Sequence, residues 1–529
     1  MRRTQPGRAA GVDMESNSMK YTFKTKPYAH QREGIRFAFR QFNRGLGVGF
    51  LFEPRTGKTK TTIDTISVLH LKRDVRKVLV ITPNRVLGTW VREFHTHCPL
   101  VHEVIVWDAK ERRKGPIRQP AGHTDLQVVV TNFETFGTPG RRLPSGRRSK
   151  AQGRFKHRDT IEKWLAGEDA VLVVDESHKL KNPSSKAANM IVGMRRFFRY
   201  PIILTGTPIT KAKRAADIYM QWRLISPDRF SDWGATYEDF KNHCGKWVMV
   251  EGNIPIFKGE NQRGMRDLQR GIHQDALVIK RDECFDLPDE LPDRIIDVPL
   301  TTSAKHYDEM AEDMITKLEN GEIAEASIPL VVTMRLAQIT SGHVGIVKPH
   351  PTNPDKTISI PVKVGTEKLK ALNVILEEEV DDKDEPVIIV ARWKADLDAI
   401  QAACKRFGMP VWSIRGGMTR DATDDALKRF KRAAGSACAM VVQPQAGGVG
   451  LDMSVAGHTV WYSLTSSWVD YRQMRDRNAL HHKAVQHTFL IAPGTVDRLL
   501  YDTLQEDGNV ASRILKRPDV LRRKLHAST

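Results

Sequence analysis

Residues 171–182, VLVVDESHKLKN, decide the fold. An uninterrupted apolar run ends in two adjacent acids, Asp175 and Glu176. Such a run has the composition of a strand buried on both faces of a parallel sheet. Open α/β sheets bind ligands at the carboxyl ends of their strands. In a nucleotide-driven motor, two carboxylates delivered there have separate roles. The first holds Mg²⁺ and the second orients the attacking water. A plain strand followed by a solvated turn leaves the same signature, so the pair needs a phosphate site beside it.

That site lies upstream. Residues 48–52, VGFLF, have strand character, and residues 60–71 have helical length and apolar spacing. Between them runs EPRTGKT, with Thr56, Gly57, Lys58 and Thr59 at its end. Strand, Gly-Lys-Thr and helix place backbone N–H groups and a helix N-terminus against phosphates. Lys58 is then the group that reaches the β/γ-phosphates, and Thr59, with Asp175, ligates Mg²⁺. The strict pattern G-x-x-x-x-G-K-[ST] is not met, because Phe52 stands at the first glycine position. A phosphate loop followed by an acidic strand makes a nucleotide and Mg²⁺ the expected cofactors.

Composition narrows the class. The chain has 529 residues, enough for several domains. Hydrophobic residues are 40% and charged residues 28%, which fits a globular protein rather than a disordered one. No apolar run is long enough for a membrane span, so no membrane partner is expected. The five cysteines, Cys98, Cys244, Cys284, Cys404 and Cys438, lack metal-ligand spacing and read as reduced thiols of a cytoplasmic protein. A net charge of +20 favours a polyanionic partner. Residues 141–158, RRLPSGRRSKAQGRFKHR, contain no acid and read as a surface loop for phosphate contact through Arg141, Arg142, Arg147, Arg148 and Lys150. The acidic stretch 377–385 reads as a solvated loop, and residues 1–18 as a disordered basic arm without the apolar core of a signal peptide.

With these sites in hand, the chain resembles superfamily 2 helicase-like ATPases of the Swi/Snf group of DNA translocases, in their compact bacterial or viral form. The likeness runs over about residues 28–500. YAHQREG, residues 28–34, is similar to the adenine-reading Q motif, which implies base contact by Gln31. Residues 78–83 with Trp90, Glu93 and Phe94 resemble motif Ia and its sequel, and VVVTNFET, residues 128–135, resembles the next strand and a DNA-facing turn carrying Asn132. LTGTPI, residues 204–209, matches motif III. Residues 277–299 resemble the stretch that joins two lobes. Residues 386–393 and 414–419 resemble motif IV and the turn after it. QAGGVGLD, residues 445–452, resembles motif V, and Trp468, Gln473, Asp476 and Arg477 resemble motif VI.

The resemblance implies an α/β fold of two RecA-like parallel-sheet lobes with helical insertions. The first lobe is expected over 19–287, with strands near 47–52, 78–82, 103–107, 127–131, 171–174 and 201–204 and a helical insertion over about 210–275. The second is expected over 288–510, beginning with a helical and linker part over 301–364 whose residues 344–364 alternate as strands do. A basic tail follows over 511–529. ATP is then bound by Gln31, Thr56, Gly57, Lys58 and Thr59, with Gly450 and Asp452 from the second lobe. Lys58, Asp175, Glu176 and Arg477 are the catalytic set. His178, Thr205, Thr207 and Gln473 couple it to DNA.

Two departures stand out. The family carries glycine where Arg55 stands, and a side chain there predicts an altered loop or an arginine turned to solvent. Motif VI normally has a second arginine where this chain has Leu480, followed by His481, His482 and Lys483. Arg477 remains as a finger, and either Arg475 or Arg472 substitutes for the other or hydrolysis is weakened. The expected function is an ATP-dependent motor on duplex or branched DNA rather than RNA. The alternative is a nucleotide-gated DNA-binding protein with weak turnover. A monomer is expected, in a bacterial cytoplasm or that of a virus-infected bacterial host, with a nuclear location left open. A separate replication, repair or restriction subunit is a candidate partner.

Overall fold

Apolar runs become strands at every place where the sequence announces one. In the computed structural model, β1 Val48–Phe52, β2 Lys77–Thr82, β3 His102–Val106, β4 Leu126–Asn132, β5 Ala170–Asp175 and β6 Tyr200–Leu204 form within one residue of the expected bounds. The structure describes residues 21–120, 122, 124–137, 152–210, 215–234, 236–250, 254–284, 291–319, 328–350, 353–381, 383–447, 451–478 and 484–515. The basic arm 1–18, Arg141, Arg142, Arg147, Arg148, Lys150, Gly450, Leu480, His481, His482, Lys483 and the tail beyond 515 lie outside them.

Helices alternate with these strands, so neighbours run parallel and both sheet faces are covered. Side chains sort accordingly, with period two. Leu79, Ile81, Val129, Leu172, Val174 and Ile203 pack into one core. Val78, Val80, Val128, Val130, Val171, Val173 and Ile202 pack into the core on the opposite face.

The region after β6 departs from its expected all-helical character. Helices Tyr219–Ile225, Tyr237–Cys244 and Gln262–Asp275 are present, but β7 Gly245–Val250 and β8 Ile254–Glu260 form an antiparallel hairpin between the last two. Trp247, Val248 and Val250 are residues that favour a pleated surface, and they outweigh the helical spacing around them.

The stretch 277–299 is also more than a connector. Its first residues belong to β9 Ala276–Ile279, which pairs in parallel with β1 and makes the first sheet seven-stranded, in the order β3-β4-β2-β5-β6-β1-β9. Further along lies β10 Arg294–Asp297, an edge strand of the second sheet. Four-residue edge strands carry too little periodicity to be read from sequence.

The second sheet has six strands. β11 His343–His350 and β12 Asn353–Lys363 make a separate antiparallel hairpin over the stretch expected to alternate. β13 Pro386–Val390, β14 Val411–Ile414, β15 Cys438–Val442, β16 His458–Trp461 and β17 Gln486–Ile491 join β10 in the order β10-β17-β16-β13-β15-β14, all parallel. Helices Ala304–Glu319 and Ile328–Thr340 precede the hairpin.

Two further expectations are corrected. The acidic stretch is not wholly a loop: Leu376–Asp381 forms a helical turn, and both Glu379 carboxylate oxygens accept from Arg294 Nη1 at 2.7 and 2.8 Å. The basic stretch is not wholly a loop either, since helix Gln152–Leu165 begins inside it. No helix among the described residues is long and apolar enough to cross a membrane. All five cysteines are free, and all but Cys284 are buried.

Candidate functional site

Four adjacent strands, β2-β5-β6-β1, bring their carboxyl ends to one edge. That edge collects Thr82, the pair Asp175–Glu176, the turn from Thr205 to Thr207, and the loop from Glu53 to Thr59. Helix α1 Ala29–Asn43 flanks the loop, and α2 Lys58–Arg73 leaves from it.

The loop is shaped by its backbone. Gly57 caps α2 with φ 85°, and a Cβ there would lie 2.0 Å from Gln31 Nε2, so only glycine fits. Gln31 is buried. Its amide donates to the Thr56 carbonyl at 3.4 Å, and its oxygen accepts from the Tyr28 N–H at 3.0 Å. In this state Gln31 braces the loop and caps α1. Thr56 is buried with its hydroxyl on the Glu53 carbonyl, and Lys58 Nζ rests on the Phe52 carbonyl at 2.8 Å. Thr59 is half-buried in the first turn of α2.

The acidic pair is held firmly. Asp175 Oδ2 accepts from Thr82 Oγ1 and Trp90 Nε1, both at 3.0 Å, and Oδ1 accepts from the Glu176 N–H at 2.9 Å. Burial first, then the neighbouring Glu176 charge, pushes Asp175 up to about 6. Burial acts on Glu176 in the same direction. It is outweighed by the hydrogen bond and charge of His178 and by the charges of Lys58 and Arg477, which hold Glu176 below its ordinary value. Glu176 adopts φ 52°, a left-handed conformation that costs a non-glycine residue about 1–2 kcal/mol. That turn sets its carboxylate 3.2 Å from His178 Nδ1, which also lies 3.2 Å from Thr205 Oγ1.

Thr205 in turn accepts from the Thr207 N–H at 3.0 Å. The Thr207 hydroxyl is buried without a hydrogen-bond partner among the described residues. A second buried path links the same two turns. Ser177 donates to Gln221, and Gln221 donates to the Pro208 carbonyl at 2.8 Å. Neither Gln221 nor Trp90 carries a sequence signal for this role beyond its place beside a motif. Asn132 is buried at the end of β4, where its oxygen accepts from Thr135 and its amide donates to Asn84 at 3.1 Å. Its side chain therefore holds a turn.

The second sheet faces this edge with arginines on and after helix Trp468–Arg475. Arg477 is buried, with Nε on the Gln473 carbonyl at 2.8 Å and Nη1 on the Leu451 carbonyl at 3.0 Å. Burial and the nearby Arg55 pull it down to about 10. Gln473 is buried beneath it. Arg475 points away from the cleft, to Asp293 and Tyr471, both at 2.8 Å. Arg472 reaches Glu53 at 3.3 Å and Asp476 at 3.5 Å. Asp452 accepts from Lys431, from Ser454 and from Arg55. Burial opposes its ionisation, but the bonds from Lys431 and Ser454 and the Arg55 charge hold it well below the usual carboxylate range.

Arg55 corrects the expectation of a solvent-facing side chain. It sits at φ 70°, the left-handed region that suits glycine, with a side chain only 14% exposed. It crosses the cleft to Asp452 at 2.8 Å because burial makes an ionised partner necessary. Arg281 crosses in the same way to Asp476 at 2.7 Å, and Arg85 donates to the Gln445 and Ala446 carbonyls.

Comparison with known proteins bears on this arrangement. The profile of the SNF2-related domain matches residues 30–341, and that of the helicase conserved C-terminal domain matches residues 367–479. The ISWI chromatin-remodeling complex ATPase CHR17 of Arabidopsis thaliana is 22% identical, over 85% of this chain and 38% of its own length. The putative ATP-dependent helicase/translocase YwqA of Bacillus subtilis is 21% identical, over 96% of this chain and 50% of its own length. The chain thus spans between about two fifths and half of these relatives. The Sulfolobus solfataricus SWI2/SNF2 ATPase core in complex with dsDNA aligns over 94% of both chains, at 19% identity and a TM-score of 0.40.

Proposed function

This chain belongs to the SNF2-related family and carries its ATPase domain followed by a helicase C-terminal domain, and on that premise we propose an ATP-driven motor that moves along duplex or branched DNA. The observation that carries the reading is the meeting of three elements at one cleft. The phosphate loop and the acidic pair share the edge of the first sheet, and Arg477 of the second lobe meets that loop, its carbonyl accepting from Arg55 Nη2 at 2.6 Å. We place the division between the lobes near residue 288, between β9 and β10.

In this reading Lys58 and the N–H groups opening α2 receive the β/γ-phosphates. Thr59 and Asp175 suit Mg²⁺: Asp175 is a buried carboxylate whose ionisation burial opposes, and a divalent cation would relieve that. Bound Mg²⁺ would neutralise charge on the phosphate oxygens. Glu176, kept ionised, orients the attacking water and takes its proton. The water oxygen bonds the γ-phosphorus as the bond to the bridging oxygen breaks, and the electron pair leaves on ADP. Arg477 stabilises the charge on the transferred group, a role typically worth about 10³–10⁵ in rate. Loss of the γ-phosphate removes a tie between the lobes. His178, Thr205 and Thr207 form the bonded path by which that change would pass from Glu176 to the motif III turn. The net charge of +20 supports DNA as the track.

The altered motif VI and the turning away of Arg475 favour a second reading, a nucleotide-gated DNA binder with little turnover. Phosphate release by the purified chain, with and without duplex DNA, separates the two. The motor reading expects at least about tenfold stimulation by duplex. Binding of ATP and DNA without stimulated release would leave the gated binder.

A further inference from the structure

Arg55 has a second feature besides its bridge to Asp452. Its Nη2 donates to the Arg477 carbonyl at 2.6 Å and to the Leu451 carbonyl at 3.3 Å, as well as to Asp452 at 2.8 Å. Arg477 Nη1 donates to the same Leu451 carbonyl at 3.0 Å. Two guanidinium groups, one from each lobe, therefore converge on one carbonyl oxygen. Arg55 Nη1 is buried and has no hydrogen-bond partner among the described residues. A buried charged donor left unpaired is costly and marks a place for an acceptor.

The other arginines near Arg477 are directed elsewhere. Arg475 is held by Asp293 and Tyr471, away from the cleft, and Arg472 is held by Glu53 and Asp476. Position 480 is leucine. Arg55 stands three residues before Lys58 in the same loop, so its side chain starts within reach of the phosphates that Lys58 meets.

We propose that Arg55 is a catalytic residue, a second arginine supplied by the phosphate loop, whose free Nη1 binds the γ-phosphoryl oxygens in the transition state beside Arg477. The proposal rests on the ATP-hydrolysing reading above. The bonds made and broken are those given there. Arg55 adds a forked donor where negative charge collects on the γ-phosphoryl oxygens and the bridging oxygen. It also gives a use to a side chain at a position whose φ of 70° suits glycine, since the guanidinium reaches across the cleft to Asp452 instead of facing solvent.

The test compares Arg55→Gly and Arg55→Lys with the unaltered full-length chain on saturating duplex DNA. Glycine suits φ 70°, so folding should be retained, which a thermal melt checks. Single-turnover hydrolysis should fall by at least about 10²-fold in Arg55→Gly. Arg55→Lys should be slowed as well, because an ammonium lacks the fork. Affinity for ADP should change by less than about threefold, while affinity for ADP with aluminium fluoride should fall by a factor comparable to the rate loss. Wild-type or faster turnover in Arg55→Gly would reduce the residue to a latch between the lobes and overturn the proposal. Equal losses for ADP and for ADP with fluoroaluminate would also overturn it, since a residue that only shapes the loop weakens both alike. If the unaltered chain binds ATP but releases no phosphate on DNA, the ATP-hydrolysing reading itself fails, and this proposal fails with it.

Discussion

The acidic edge of the first sheet and the basic edge of the second are built on different plans. Asp175 takes its hydrogen bonds from Thr82, Trp90 and the Glu176 N–H, and Glu176 takes its partner from His178. Every one of these groups belongs to the first lobe. On the other side, Asp476 pairs with Arg281, Asp452 with Arg55, and Arg472 with Glu53, so three of its charges find partners across the cleft. Of the arginines in that stretch, Arg475 is paired within its own lobe, to Asp293. One half of the chemistry is therefore ready before closure, and the other half is completed by it. Opening the cleft would leave Asp476, whose side chain is fully buried, without Arg281. Arg472 of the same lobe stays 3.5 Å from Asp476, so opening removes one of two charged partners from a buried carboxylate, and contact between the lobes is favoured by that loss.

Disabling the prepared side should have the largest effect. Lys58→Ala should abolish hydrolysis, because it removes the cation beside the β/γ-phosphates. Glu176→Gln should stall turnover while ATP and DNA binding persist, because an amide keeps the shape but cannot act as a carboxylate toward water. Isotherms for a nucleotide analogue, read beside phosphate release, distinguish the two. Normal turnover in Lys58→Ala would refute the assigned loop.

The next largest effect separates neighbours on the completed side. Arg477→Ala should lower the rate by at least about 10³ with little change in ATP affinity. Arg475→Ala should instead destabilise the second lobe by about 2 kcal/mol, because Asp293 loses its charged partner and keeps Tyr501 and Gln505, and should retain turnover where the protein stays folded. The reverse pattern, a live Arg477→Ala and a dead but folded Arg475→Ala, would shift the finger to Arg475.

A smaller effect probes how the second lobe holds itself without the first. Glu367 Oε1 accepts from the Thr301 and Ser303 N–H groups at 3.0 and 2.8 Å, and Oε2 accepts from the Thr366 N–H at 2.8 Å. Burial raises its pKa, but the backbone bonds from Ser303, its own N–H and Thr301 outweigh that and bring it down to about 2. A group depressed in the folded state stabilises above its unfolded value and loses that contribution as pH falls. Glu367 is only partly buried, so solvent screening discounts that contribution, and Glu367→Ala should cost about 1 kcal/mol near neutral pH. The gap from wild type in thermal midpoint should narrow as pH falls from about 4.5 toward about 2. A gap independent of pH would mean that packing, not the carboxylate, is responsible.

The two edges also differ in how far the sequence reveals them. The strands beneath the acidic edge are apolar runs, with Asp175 and Glu176 at the end of one and Lys58 six residues after another, so local pattern suffices. The basic edge depends on contacts between residues far apart in the chain. No local pattern around Arg55 points to Asp452, and nothing near Asp476 points to Arg281. The destination of Arg475 was equally hidden, because Asp293 lies in a segment that reads as a connector. The strands β9 and β10 flanking that segment escaped for a related reason: four residues at a sheet edge gain their structure from the neighbouring strand rather than from their own spacing. Gln31 and Asn132 are legible through resemblance alone, and the structure shows both engaged with nearby backbone, which no local pattern indicates.

The most direct test of the motor itself is displacement of a third strand bound to duplex DNA. With ATP, the wild-type chain should strip a triplex-forming oligonucleotide from a duplex that extends to one side of it. Glu176→Gln, bound to the same DNA and nucleotide, should leave it in place. A third strand that stays bound while the wild-type chain hydrolyses ATP on that duplex would contradict translocation and leave a DNA-stimulated ATPase that does not move.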